Sequence, residues 1–160
     1  TYGLENPTTI RVPTSYYNLE TMAFIKKDSG IVIKSKEDLK KYKLVKVSGV
    51  KHTNNITKGM SNVTDIQSTE SMMKFLDKGR ADVALTNTVD GNLIIKKLGY
   101  TQIIPIDKPL AVLDLFTYIH QEHKDLVPKV DAMIKKMKAN GEMKALVKKA
   151  EAQVIENILK

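Results

Sequence analysis

The sequence predicts an α/β fold built on a parallel sheet, and three observations carry this prediction. Short apolar strands alternate with helical patterns from Leu44 to Leu98, which is typical of right-handed crossover units. The run Val83–Leu85 contains no polar residue, as expected of a strand buried on both faces. The helix before it has a capping hydroxyl at Ser68 or Thr69 and a left-handed stop at Gly79.

The remaining elements follow from the same signals along the chain. Runs of β-branched and apolar residues predict strands, while capping residues and 3.6-residue apolar spacing predict helices. The predicted strands are Thr9–Val12, Leu19–Ile25, Leu44–Val47, Val63–Ile66, Val83–Leu85, Ile103–Ile106 and Leu113–Ile119. A capping-box-like turn at Ser35–Asp38 predicts the start of a first helix. Further helices are predicted over 53–58, 69–78, 90–98, 128–139 and 142–159. Gly99 and Gly141 end the helices that precede them.

Composition limits the classes of function. The 160 residues suffice for one domain or one and a fraction, and the chain has no Cys, which excludes disulfides, thiolate catalysis and Cys-ligated metals. The net charge is +8, but its lysines are spread over helix faces and only Arg11 and Arg80 supply guanidinium groups. This pattern favours solvated helix faces over a nucleic-acid surface.

The start of the sequence and its hydropathy bear on where in the cell the protein is found. No apolar run approaches the length of a membrane span. The chain opens at Thr1, without Met and without a hydrophobic segment, so we expect a chain that was processed, trimmed or cut from a longer one.

Candidate binding chemistry lies where predicted strands end. Open α/β sheets hold ligands at the carboxyl ends of their strands, and Thr86–Thr88 follow one such strand. The loop Ser48–Thr53 follows another, and its backbone N–H groups, with Lys51, would suit an anion; a plain turn is the alternative. Ser68 and Thr69 are predicted helix caps whose hydroxyls could also serve a ligand.

Two other chemistries are weighed and set aside. His120 and His123 have the spacing of two metal ligands on one helix turn, but no third or fourth ligand is close in sequence, so a surface role and no metal are predicted. No nucleophile–base pair or G-x-S-x-G turn is present, so no catalytic residue and no cofactor are assigned.

Three stretches resemble one known family. The segment 34–49 resembles the opening of the second lobe in bacterial extracellular solute-binding proteins of family three. The segment Leu76–Ala84 resembles the L-x-x-G-r-x-D-a-v strand entry of that family. The segment 120–141 resembles the closing helix of the family and the Gly break after it. Together these matches span most of residues 10–145.

The resemblance implies a type II periplasmic-binding-protein-like fold, with one complete three-layer α/β lobe plus a partial second lobe. The second lobe of the family would be residues 26–105, and the partial first lobe would be 1–25 with 106–160. Two crossing segments, Tyr16–Phe24 and Ile106–Leu115, would join the lobes, and a small polar solute would be gripped between them by hinge closure.

The resemblance also suggests which residues face this cleft. Aromatic Tyr16 and Tyr17 precede the first crossing, where they either stack on a ligand or pack between lobes. The ligand-binding residues expected on this basis are Tyr16, Tyr17, Gly49, Lys51, His52, Thr53, Ser68, Thr69 and Asn87.

The chain departs from the family pattern at two points. The strand–helix block that family members carry before the first crossing is missing, so we expect exposed apolar surface and a homo-oligomer or swapped pairing. Asn87 stands where amino-acid binders usually carry an acidic residue for the α-ammonium group. A neutral amide cannot form that ion pair, which argues against an ordinary α-amino acid.

The function expected from the resemblance is capture of a small polar solute for ABC-type uptake, in the periplasm, by a protein made with a signal peptide. A membrane permease is the expected partner, nucleic acid is not, and no covalent chemistry is expected. The alternatives are a sensory ectodomain of the same fold in a signalling receptor, or a dehydratase-like enzyme on this fold.

Overall fold

A six-stranded mixed sheet organises the middle of the chain in the computed structural model, which describes residues 8–159. Its strands are β2 (Tyr17–Lys26), β3 (Leu44–Val47), β4 (Val63–Ile66), β5 (Val83–Asn87), β6 (Ile103–Pro105) and β7 (Ala111–Leu115), numbered after β1 (Thr9–Arg11). The spatial order is β4-β3-β5-β2-β6, and β7 pairs with β2. Helices α1 (Lys51–Ile56), α2 (Thr69–Asp77) and α3 (Thr88–Leu98) connect the strands.

The predicted parallel sheet is confirmed for β3, β4 and β5. Strand β3 pairs in parallel with both neighbours, with Val45 opposite Thr64 on one side and Ala84 on the other. Strand β2 instead runs antiparallel to β5 and β6. The alternation of strands and helices carries no information about β2, because no crossover helix joins it to β5 in sequence order.

Two apolar layers cover the sheet, one on each face. Met22 and Phe24 of β2 point toward α2 and α3, where the buried core also includes Met72, Met73 and Ile94. Their neighbours in β2 point to the opposite face, because side chains alternate along a strand. That second layer consists of Ala23, Ile25, Ile33, Leu39, Leu44, Val83 and Leu85.

Helix α3 lies unusually close to β2. A Cβ atom built on Gly91 would stand 2.2 Å from Cζ and 2.3 Å from Cε2 of the Phe24 ring. Phe24 has no exposed surface, so its ring has no free space into which to retreat. Residue 91 must therefore lack a side chain for α3 to pack in this position.

Helix ends follow the predicted chemistry. Ser68 caps α2 by accepting a hydrogen bond from the Ser71 amide at 3.1 Å. Gly79 follows α2 with φ +70°, and Gly99 ends α3 with φ +69°. A left-handed residue at these positions lets the last carbonyl groups find amide partners.

Four predicted elements differ in detail. The segment Lys36–Lys41 is a 3-10 helix that the Ser35 side chain does not cap, and Asp38 accepts from the Lys34 amide at 3.0 Å. The weak helix expected over 53–58 is α1, which begins at Lys51, and α3 begins at Thr88 rather than Asp90. The run Leu113–Ile119 divides into β7 and β8 (Tyr118–His120).

The chain forms two compact units. The central unit comprises residues 19–113, and the terminal unit comprises 114–159 with the described residues up to 18. The predicted lobe 26–105 falls inside the central unit, but its boundaries stay a prediction. Strands β2 and β7 each contain residues of both units.

The terminal unit contains a small ladder and two helices. Strands β1 and β8 pair antiparallel, and a 3-10 helix, Gln121–Leu126, leads into α4 (Val127–Ala139) and α5 (Glu142–Leu159). Pro128 lies in the first turn of α4, as predicted. Asp131 of α4 accepts a hydrogen bond from the Thr14 amide at 2.8 Å, which ties the helix to the chain before β2.

Substitution of Gly91 by Ala should lower the free energy of unfolding by about 1–3 kcal/mol, because overpacking against Phe24 outweighs the better helix propensity of Ala. Urea denaturation measures the change. Asn92→Ala, at the exposed neighbouring position, is the matched control and should not destabilise. The double variant with Phe24→Leu should recover part of the loss; Gly91→Ala as stable as the wild type would contradict the packing argument.

Candidate functional site

The loop between β3 and α1 turns on a single glycine. Gly49 has φ +78°, a conformation that costs a residue with a side chain about 1–2 kcal/mol. Val50 precedes the first turn of α1 without a side-chain cap, and the Thr53 hydroxyl donates to the Val50 carbonyl at 3.1 Å. The turn therefore places Lys51, His52 and Thr53 on the first turn of α1.

His52 is buried and paired with strand β2. Its Nδ1 lies 2.9 Å from Oγ1 of Thr21, and both residues are buried. Burial lowers the pKa of His52, and the negative charge of Asp90 opposes that shift. The imidazole is therefore neutral at neutral pH, since its ordinary pKa of 6.5 is already below 7.

The start of α2 is joined to the start of α3. Thr69, the first residue of α2, donates its hydroxyl to Oδ2 of Asp90 at 2.7 Å. Thr86 donates to the same oxygen at 2.9 Å. The Asp90 carboxylate thus holds two hydroxyl groups and, being in the first turn of α3, lies at the favourable end of the helix dipole.

Asn87 caps α3 and ends β5. Its Oδ1 accepts from the Asp90 amide at 2.8 Å. Thr21 is the residue opposite Asn87 in the antiparallel ladder between β2 and β5. Beside this pair, Thr88 donates to Oε2 of Glu20 at 2.9 Å.

These contacts bring five side chains together at the carboxyl end of β5. We call them the β5-end cluster: Thr21, His52, Thr69, Asn87 and Asp90. Three of the residues expected from the sequence, His52, Thr69 and Asn87, belong to this connected set. The other residues expected from the sequence are neighbours of His52 and Thr69 at the starts of α1 and α2: Gly49, Lys51, Thr53 and Ser68.

Sequence reasoning missed Glu20, Thr21 and Asp90. Asp90 follows Asn87 by three residues, which is the spacing of a reciprocal helix cap and was a usable signal. Thr21 and Glu20 lie within a strand predicted from its apolar residues. Nothing in their spacing indicates that the antiparallel register sets them beside the end of β5.

Tyr16 and Tyr17 belong to the terminal unit. Both line a groove of about 560 Å³ together with Met143 and Val147 of α5. The Tyr17 hydroxyl donates to Oε1 of Glu151 at 3.0 Å. Within this unit the two rings therefore pack beside α5, and their role toward a ligand stays a prediction.

Residues 8–159 contain neither a metal-binding cluster nor a membrane-spanning helix. No group of three or more His, Cys, Asp or Glu side chains in this range is arranged to hold a metal ion. The nitrogen Nδ1 of His120 accepts from the amide of Glu122 at 3.2 Å. No helix in the same range has the length and apolar character needed to cross a membrane.

The burial of His52 predicts a pH dependence of stability. Because the pKa of His52 is lower in the folded than in the unfolded chain, the unfolded chain binds more protons below about pH 6.5. The free energy of unfolding therefore decreases as the pH is lowered. Urea denaturation between pH 7 and 5 should show a shallower loss for His52→Gln. Equal slopes in the wild type and in His52→Gln would disprove this assignment.

Comparison with known proteins finds likeness in structure but not in sequence. No protein-family model and no curated protein matches the chain significantly. An ArgBP variant from T. maritima has a TM-score of 0.65 at 18% identity, covering 88% of this chain and 61% of its own. AbpA, an amino acid ABC transporter substrate-binding protein from Streptococcus pneumoniae bound to L-arginine, has a TM-score of 0.65 at 18% identity, with 92% and 63% covered.

A third similar structure belongs to a lineage that led to an enzyme. The ancestral amino acid-binding protein AncCDT-1, a precursor of cyclohexadienyl dehydratase, has a TM-score of 0.62 at 20% identity, with 89% and 61% covered. The chain thus spans about three fifths of the length of these proteins. Over that part it has the α/β fold of the type II periplasmic binding proteins, as the resemblance implied.

Proposed function

We propose that this protein binds a small polar solute for ABC-type uptake and releases it chemically unchanged. The observation that carries the proposal is the β5-end cluster, a set of polar side chains at the carboxyl end of a strand in the parallel part of the sheet. Ligands of open α/β sheets bind at such ends. The shared fold with amino-acid-binding proteins of ABC transporters supports the same proposal.

The proposed contacts in the central unit come from three junctions between a strand and the helix that follows it. The turn at Gly49 with Lys51, His52 and Thr53 supplies the first, Ser68 and Thr69 the second, and Asn87 the third. Periplasmic location and a membrane permease as partner belong to the same proposal. That Tyr16 and Tyr17 contact the solute stays a prediction.

The chemistry of the cluster favours binding over catalysis. Among its members the titratable groups are His52 and Asp90, and both have hydrogen bonds to threonine hydroxyls. The Thr21 hydroxyl that pairs with His52 is only 1% exposed, so it cannot act on a substrate as a nucleophile. The second candidate is a dehydratase-like enzyme, which the likeness to AncCDT-1 keeps open. A sensory ectodomain would bind its solute in the same way and differ in the domains attached to it.

A thermal-shift screen of the full-length protein against small polar metabolites, L-arginine among them, tests the proposal. A ligand that binds only the folded state at a hundred times its Kd stabilises by about 2.7 kcal/mol, so we expect at least one stabilising compound. Mass spectrometry after long incubation should recover it unchanged. Conversion with turnover that is lost in His52→Gln would replace binding with the enzyme alternative.

The affinity of the stabilising compound should depend on Asn87. Asn87→Ala removes a polar partner and should weaken binding by about 1–3 kcal/mol in isothermal titration. Asn92→Ala, the same substitution at an exposed position of the same helix, should bind as the wild type does. Unchanged affinity in Asn87→Ala would remove this residue from the site. Tyr17→Ala, compared with Tyr17→Phe, tests the predicted role of the aromatic ring.

A further inference from the structure

The cap of α3 uses the side-chain oxygen of Asn87 and leaves its side-chain nitrogen for a ligand. Its Oδ1 is occupied by the Asp90 amide, and its Nδ2 has no partner among residues 8–159. No buried side-chain nitrogen or oxygen of the described residues lacks a hydrogen bond, so the half-buried amide group must expose Nδ2 to solvent. Asn87 therefore offers two unpartnered N–H donors, while its oxygen is already engaged in the helix cap.

His52 offers a donor for an independent reason. The Thr21 hydroxyl is 1% exposed, and within the described chain its hydrogen-bond partner is Nδ1 of His52. If Nδ1 carried the proton, the hydroxyl hydrogen would be buried without an acceptor, which costs about 1–3 kcal/mol. The hydroxyl thus donates to Nδ1, and the proton of the neutral imidazole lies on Nε2.

The Nε2–H group of His52 is also unpartnered. His52 is only 8% exposed, and Nε2 has no hydrogen bond within residues 8–159. The same absence of orphaned buried atoms places Nε2 at the surface of the cluster. A side chain more than nine-tenths buried thus presents its remaining donor outward.

The two donors share one face of the sheet. Thr21 and Asn87 are opposite each other in the ladder, and cross-strand partners point to the same side. His52 is hydrogen-bonded to that Thr21. The nearby carboxylates lie toward the other face. Asp90 is hydrogen-bonded to Thr86, which alternates with Asn87 along β5, and Glu20 alternates with Thr21 along β2.

We propose that the β5-end cluster binds a hydrogen-bond-accepting oxygen of the solute, from a carboxylate or carbonyl group, through Nδ2–H of Asn87 and Nε2–H of His52. For an ammonium group the pair offers only the Asn87 oxygen, which already accepts the hydrogen bond of the α3 cap. The inference rests on the proposed function for its biological meaning, but the chemistry of the pair can be tested without knowing the solute.

The first measurement is the imidazole tautomer. Nitrogen-15 NMR of the full-length protein at pH 7 should show His52 neutral with its proton on Nε2. In Thr21→Val, which removes the donating hydroxyl, the Nδ1–H tautomer should become populated. A wild-type proton on Nδ1 would overturn the proposal.

The second measurement uses two fragments of opposite character. Sodium acetate should shift the Asn87 and His52 side-chain signals, and methylammonium chloride should do so about tenfold more weakly, as a difference of one charge-assisted hydrogen bond implies. Asn87→Asp keeps the helix cap, because Asp caps as well as Asn, but exchanges free donors for a carboxylate. The preference should then reverse.

Asn92→Asp adds the same charge at an exposed site of α3 and should keep the wild-type preference. No response of either side chain to acetate, or an unchanged preference in Asn87→Asp, would overturn the proposal. A correct tautomer and fragment preference with no stabilising metabolite would instead contradict the proposed function alone. A solute that binds through an amine at Asn87 would overturn this inference and leave solute binding intact.

Discussion

The packing of α3 against β2 is the constraint on which the central unit depends. Gly91 allows the helix to approach until its backbone meets the ring of Phe24, which lies in the middle of the buried layer. Because interiors are close-packed, a helix held this closely has little freedom to slide or rotate. The position of its first turn, and with it Asn87 and Asp90, follows from that contact.

Asp90 fixes the start of α2 relative to the start of α3. Its amide is capped by Asn87, and its carboxylate accepts hydroxyls from Thr69 at the start of α2 and Thr86 at the end of β5. Two helix starts and a strand end are thus fixed to one residue. A site assembled from loops gains rigidity when its loops are tied in this way.

The hydrogen bonds that stabilise the cluster also limit which of its atoms remain for a ligand. The oxygen of Asn87 serves the helix cap, so the nitrogen remains; Nδ1 of His52 serves Thr21, so Nε2 remains. The hydrogen bonds that hold the cluster together therefore decide which atoms it presents. Asn87→Asp separates the two roles, because it conserves the cap and changes only what faces outward.

Much of the fold and part of the site were accessible from the sequence alone, because they depend on local chemistry. The parallel order of β3, β4 and β5 follows from alternating apolar strands and helices, the helix stops at Gly79 and Gly99 from left-handed glycine, and the cap at Ser68 from its short polar side chain. Only the tertiary structure placed β2 antiparallel beside β5 and set Thr21 opposite Asn87, within reach of His52. Residues 21, 52 and 87 are far apart in sequence, and their meeting depends on strand order and register, which no local pattern encodes.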